Sequence, residues 1–314
     1  MMERQLPADK DTEGISQPHM LSIIGIVIVF GAIVAGYLME HGPLLVLMQP
    51  AELIIILGAA IGTVIVANPL PTVIRMAKAM LGVMGGSPYT KAFYTENLKM
   101  LYELFAMARK AGMAKLEEDV DNPAKSDVFK KYPKFLKSHH ALDFVCDTLR
   151  TSLSGGVEPM DIDTMMEADL EAHHHEANEP VAAVSAMADA LPGLGIVAAV
   201  LGVVITMGSL GGAKEEIGKK VAAALVGTFL GILLCYGVFG PLAAAMAKRN
   251  DDEAAYFGFL RMGTLGFVRG SGPMIAVELA RRTIPHSLRP SFKEMESACR
   301  GGKGAAPAAE AQAA

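Results

Sequence analysis

The chain contains no tryptophan and three cysteines, and its net charge over 314 residues is only −5. The missing tryptophan excludes nothing by itself. Cys146, Cys235 and Cys299 are odd in number, far apart and without metal-ligand spacing, which argues against a disulfide framework or a cysteine-held metal. The small charge imbalance gives no sign of the basic surface that nucleic acid requires. No glycine loop for a phosphate, nucleophile elbow or pair of catalytic acids stands out, so an enzyme is not expected. Residues 1–19 are polar with mixed charge and lack the basic start of a secretory signal.

A more telling absence is local. Residues 192–210 and 221–246 hold no Asp, Glu, Lys, Arg or His. Each run is close to about 20 apolar residues, which at about 1.5 Å per residue matches a hydrocarbon core of about 30 Å. Ion relays inside membranes need an ionisable group at depth. If the protein handles an ion, the carboxylate that carries it is therefore expected from elsewhere.

What the chain does have is apolarity, kept apart from its charge. It is 52% hydrophobic with a mean hydropathy of +0.35, yet 19% charged. Apolar runs at 21–39 and 53–66 add a first hairpin to the second at 191–246. The expected fold class is all-α, a polytopic membrane protein with four transmembrane helices and a large helical cytoplasmic domain.

The expected segments are a disordered leader (1–19), helices 1 and 2 (20–70), a cytoplasmic helical domain (71–188), helices 3 and 4 (189–247), a cytoplasmic helical tail (248–300) and a disordered end (301–314). The connection 40–50 has no Lys or Arg, whereas the segment after Pro71 carries Arg75, Lys78, Lys91, Lys99, Arg109 and Lys110. The positive-inside rule then puts the long segment and both termini in the cytoplasm. Lys214, Lys219 and Lys220 in the turn 211–220 oppose this, and the larger basic set outweighs them.

Small residues mark where helices approach closely: Gly195, Ala198, Ala199, Gly202, Ala224, Gly227 and Gly231, with GxxxG spacing at Gly227/Gly231 and at Gly58/Gly62. Packing within the chain accounts for most of them, and the pattern leaves packing against another chain open. In the polar part, Tyr94, Leu98, Leu101, Phe105 and Ala108 share one face of a helix over 92–111, which Gly112 stops. Further helices are expected over 141–153 and 160–176, parted by Ser154-Gly155-Gly156.

Several motifs together carry a family likeness: QPAELIIILGAAIG (49–62), YTKAFYTENLKMLYELFAMARKAGMAKLEEDVDNP (89–123), LPGLGIVAAVLGVV (191–204), VGTFLGILLCYG (226–237) and RPSF (289–292). Over residues 20–298 the chain resembles the MotA family, the A subunits of the bacterial flagellar motor stator within the MotA/TolQ/ExbB proton channel superfamily. The resemblance implies an inner-membrane homopentamer around two MotB helices, with a MotB aspartate binding the permeating ion and the A ring turning the rotor protein FliG. No cofactor is implied beyond the coupling ion.

The resemblance also implies roles for individual residues. Pro192 and Pro241 match prolines that couple ion flow to movement; on sequence alone, Pro192 reads as a helix start and Pro241 as a helix end. Thr228 matches a threonine facing the ion path, where a hydroxyl can hold a cation or water, although a membrane threonine commonly bonds its own preceding turn. Ala199 stands where sodium-driven relatives have a second threonine, which favours protons over sodium. Arg109 and Glu117 match charges that meet FliG. Arg109 also suits the last turn of its helix through the helix dipole, and Glu117 alone is an ordinary solvated acid.

His173, His174 and His175 invite a metal reading, but adjacent helical residues point about 100° apart and chelate poorly. The alternatives are an energiser of the ExbB/TolQ type, a sodium-driven stator, a small-molecule transporter and a membrane scaffold. A transporter calls for polar or broken helices at mid-membrane, and these spans are nearly uniform in apolarity.

Overall fold

A computed structural model describes residues 18–301 apart from 86, 209, 210 and 212, and every regular element among the described residues is helical. In chain order these are α1 (Pro18–Met39), α2 (Leu44–Leu47), α3 (Pro50–Ala67), α4 (Leu70–Val83), α5 (Lys91–Ala111), α6 (Met113–Asp121), a 3-10 turn (Phe129–Lys131), α7 (Pro133–Lys137), α8 (His139–Leu153), α9 (Pro159–Met207), α10 (Lys214–Leu234), a π-helical turn (Cys235–Phe239), α11 (Gly240–Val268), α12 (Pro273–Thr283) and α13 (Phe292–Cys299). Of the ends expected to be disordered, residues 1–17 and 302–314 lie outside the described residues, and Pro18 already opens α1. Four helical stretches are long and apolar enough to cross a membrane, within Ser22–Met39, Leu44–Ala67, Pro159–Met207 and Glu216–Val268. The protein is a multi-pass membrane protein.

The described residues divide into two compact units, one of residues 18–87 with Pro180–Met246, the other of Pro88–Glu179 with residues 247–301. In the first, α3 turns one face inward at intervals of four residues through Glu52, Ile56, Ala60 and Val64. These apolar residues join Val184, Met187, Leu191 and Ala198 of α9 in one core. The opposite faces remain apolar and open, as at Val27, Ile28, Ile54, Val204 and Ile205. Such surface is stable only against lipid or another apolar partner. Asn68 is extended, as the residue before Pro69 must be, and this separates α3 from α4.

Two boundaries differ from the sequence reading. Lys214 to Lys220 are not a turn but the opening turns of α10. Lysine and glutamate are good helix formers, and Lys220 pairs with Glu216 one turn back at 3.5 Å. The helix over 160–176 and the third span are likewise one element, α9, with Pro180 and Pro192 inside it. Each proline removes a backbone donor, a penalty of about 3 kcal/mol in a helix interior. Burial of Ala183, Val184, Met187, Ala188 and Leu191 along the same stretch opposes that penalty.

The second unit is built on α5. Thr90 caps its start by accepting from the Phe93 amide at 3.2 Å, and Gly112 ends it at φ +94°, a conformation that suits glycine. Tyr94, Leu98, Leu101, Leu104 and Phe105 on its buried face pack with Tyr256, Phe259 and Leu260 of α11 and with Ala276, Val277 and Ala280 of α12. Phe105 and Phe267 stack at 4.5 Å, and Tyr94 meets Phe259 edge-on at 5.4 Å. At the outer layer, α13 begins with a reciprocal cap between Ser291 and Glu294.

Candidate functional site

The close approach of α9 and α10 follows from their small residues. A Cβ added at Gly195 would stand 2.8 Å from the Gly227 carbonyl oxygen, one at Gly231 2.5 Å from the Leu191 carbonyl oxygen, and one at Gly202 2.7 Å from the Ala224 Cβ. Gly227 and Gly231 are thus used within the chain. Gly58 and Gly62 of α3, with the same spacing, have nothing within 4 Å of an added Cβ. The two GxxxG motifs, alike in sequence, divide between an internal seam and an open face.

Ala199 lies against Gly227, the neighbour of Thr228 in sequence, at this seam. The Ala199 amide nitrogen lies 3.1 Å from where a Gly227 Cβ would be, and Thr228 is the next residue along α10. Thr63 and Thr206 each donate back to their own preceding turn, at 2.8 Å to Ala60 and Gly202. Half-buried Thr228 makes no such bond among the described residues, so its hydroxyl keeps both donor and acceptor capacity for another group.

Beside the seam lies a residue that the sequence reading missed. Glu52, in the first turn of α3, is 7% exposed, and its Oε2 has no hydrogen-bond partner. That oxygen is 2.6 Å from an added Gly227 Cβ, and Oε1 is 3.4 Å from one at Gly202. α9 and α10 themselves bring no acid to this depth; α3 does. A signal was present: Glu52 falls in step with Ile56, Ala60 and Val64, the positions of a buried face.

Pro192 is half-buried inside α9 and neither starts nor ends a helix. Its ring leaves the Ala188 carbonyl without the usual intrahelical donor. Pro241 is the second residue of α11 and follows the π-helical turn directly, where the Gly240 amide bonds the Cys235 carbonyl. The reading of Pro241 as a helix end is therefore replaced by a helix that passes through it. A π turn is one of the few places where a helix absorbs a missing donor.

Arg109 and Glu117 belong to the second unit and are both exposed. Arg109 closes α5 and donates to the Gly270 carbonyl at 3.1 Å, while Glu117 lies on α6, beyond the Gly112 turn. No ion pair joins them among the described residues. The three histidines diverge: His173 packs on Phe257 at 4.8 Å and on His140 at 5.3 Å, whereas the His174 Nε2 meets Asn178 at 3.0 Å. Among the described residues no three His, Cys, Asp or Glu are grouped to hold a metal.

Comparison with known proteins decides the family. Residues 23–112 match the motility protein A N-terminal family, and residues 137–258 match the MotA/TolQ/ExbB proton channel family. The chain is 41% identical to motility protein A of Escherichia coli (strain K12), over 90% of its own length and 96% of that protein. It belongs to the motility protein A family. Motility protein A of Salmonella typhimurium is 40% identical over 88% of the chain and 94% of that protein, and chemotaxis protein LafT of Vibrio parahaemolyticus is 33% identical over 88% and 97%. Two solved structures share the family's fold. MotAB of C. jejuni has a TM-score of 0.71 over 87% of this chain and 98% of the other, at 19% identity. The flagellar MotAB stator complex of Bacillus subtilis has a TM-score of 0.66 over 82% and 93%, at 22% identity.

Proposed function

We propose that this chain is the A subunit of a flagellar stator, and that with MotB it forms a proton channel whose flow is converted into torque on FliG. The observation that carries the reading is the seam of α9 and α10: Ala199 and an unbonded Thr228 hydroxyl belong to the stretches 192–210 and 221–234, which hold no acid of their own. In this reading the carboxylate that binds the permeating ion comes from a second polypeptide, and the MotB aspartate is that group. The titles of both solved relatives name a MotAB complex.

In this mechanism the proton neutralises the partner's aspartate, and the loss of charge lets the spans around Thr228 change their contacts. Pro192 and Pro241 are the points where a helix yields, since each interrupts the backbone ladder. The exposed charges of Arg109 and Glu117 then meet complementary charges on FliG. Five A subunits surround two MotB helices in the inner membrane, with both termini in the cytoplasm. Protons are preferred to sodium because Ala199 offers no hydroxyl as a second ligand.

The test uses a strain deleted for its own A subunit. Complementation by this chain with its MotB partner restores swimming; Pro192→Leu abolishes it, and the pair Arg109→Glu with Glu117→Lys impairs it without lowering the amount of complex. An energiser of the ExbB/TolQ type would leave swimming absent and alter envelope integrity or nutrient uptake instead. Proton flux through liposomes holding this chain alone would sink the reading.

A further inference from the structure

Glu52 has no place in the mechanism above. It is a carboxyl more than nine-tenths buried, with Oε2 unpartnered, and it lies in a cradle left by two glycines, Gly202 and Gly227. A side chain larger than hydrogen at Gly227 would occupy the space where Oε2 now sits. A buried polar atom without a partner is unfavourable by about 1–3 kcal/mol, so its retention calls for a reason other than packing. Its neighbours supply one: Gly227 adjoins Thr228, and its backbone abuts Ala199.

We infer that Glu52 is a proton station of this chain's own, taking a proton from water on the side of the 40–50 connection and passing it to the path at Thr228. The inference rests on the stator reading and deepens it. The transfer balances simply. Hydronium gives its proton to the Glu52 carboxylate and leaves as water; the resulting carboxylic acid then gives the proton, through the Thr228 hydroxyl or a water beside it, to a carboxylate on the partner helix, and Glu52 returns to its anion. Little else on the surrounding elements competes. α2 and the stretch of α9 beyond Pro192 carry no ionisable residue; Glu40 and His41 follow α1, Lys214, Glu216, Lys219 and Lys220 occupy the opening turns of α10, and Arg75 and Lys78 belong to α4.

The test is proton flux through liposomes containing the complete complex with its single-span partner, for wild type, Glu52→Gln and Glu52→Asp. Gln keeps the size and hydrogen-bonding capacity of the side chain but cannot carry the proton. E52Q is expected to assemble as the wild type does and to lose about a hundredfold in flux, the scale of a positioned acid–base group, while E52D recovers part of it. Wild-type flux in assembled E52Q overturns the proposal and leaves the stator reading standing. No flux through the wild-type complex overturns the stator reading and the proposal with it. Should E52Q fail to assemble, infrared spectra of wild type and E52D under a pH gradient decide: a carboxylic carbonyl band that differs between them is expected, and identical spectra overturn the proposal.

Discussion

Gly195 of α9 and Gly231 of α10 are so close that a Cβ on either would lie 2.9 to 3.1 Å from the other's Cα. Real Cβ atoms essentially never come as near as 2.9 Å and seldom as near as 3.1 Å, and the obstacle on each side is main chain rather than a flexible tip.

Gly231→Val should therefore force the two helices apart, since its Cβ would also stand 2.5 Å from the Leu191 carbonyl. Overpacking of this kind is destabilising by about 1–3 kcal/mol or more. The expected outcome is loss of motility with reduced recovery of the solubilised protein by size exclusion. Gly58→Ala, with open space around it, should leave that recovery unchanged.

In the second unit the Tyr256 hydroxyl donates to Asn97 Oδ1 at 3.0 Å, and Asn97 donates to the Phe93 carbonyl at 2.8 Å. Both residues are nearly inaccessible, at 2% and 3% exposure. Tyr256→Phe leaves a buried amide oxygen without its donor, which should lower stability by about 1–3 kcal/mol. The check is a lower midpoint in thermal unfolding of the solubilised protein, with the double variant Tyr256→Phe and Asn97→Leu recovering part of the loss.

Burial pushes the Cys146 and Cys299 thiols up to about 12, far from the thiolate form that alkylating reagents attack. Neither should react with iodoacetamide in the folded protein at pH 8, and both should react after denaturation. Mass spectrometry of the labelled peptides reads the outcome directly, and labelling of either site in the native protein would contradict the buried placement.

The Lys91 ammonium at 2.8 Å, followed by the Ser291 amide, holds the Glu294 carboxyl down at about 2, from an ordinary value of 4.5. A lowered native value means that the unfolded chain takes up the proton first, so the contribution is complete above about pH 4.5 and is lost as pH falls toward about 2. The pair is half-exposed, and solvent screening limits it to less than about 1 kcal/mol. Lys91→Met should raise the midpoint of acid-induced loss of tyrosine circular dichroism by a small amount and leave the neutral-pH signal unchanged.

The four spans and the face of α5 were legible because both depend on local pattern: run length for the former, and the spacing of Tyr94, Leu98, Leu101 and Phe105 for the latter. The continuity of α9 was not. Pro180 and Pro192 are local helix breakers, and what opposes them is burial contributed by residues distant in the chain. The opening of α10 was hidden by glycine and charge, which read equally well as a turn. At the candidate site, Thr228 and Ala199 stood out through the family motif, whereas Glu52 resembled an ordinary acid near a helix start. Its meaning depends on Gly202 and Gly227, 150 and 175 residues away in sequence, whose missing side chains make the space it fills.

The π-helical turn at Cys235–Phe239 carries one residue more than regular winding. Positions before and after it are thus counted on different registers, and a face drawn through Thr228 at helical spacing cannot simply be extended past Pro241. Deleting one residue between 235 and 239 would restore even winding while rotating every later side chain by about 100° relative to the earlier ones. The fourth span should accordingly tolerate an exchange of residues in that turn better than a change in their number.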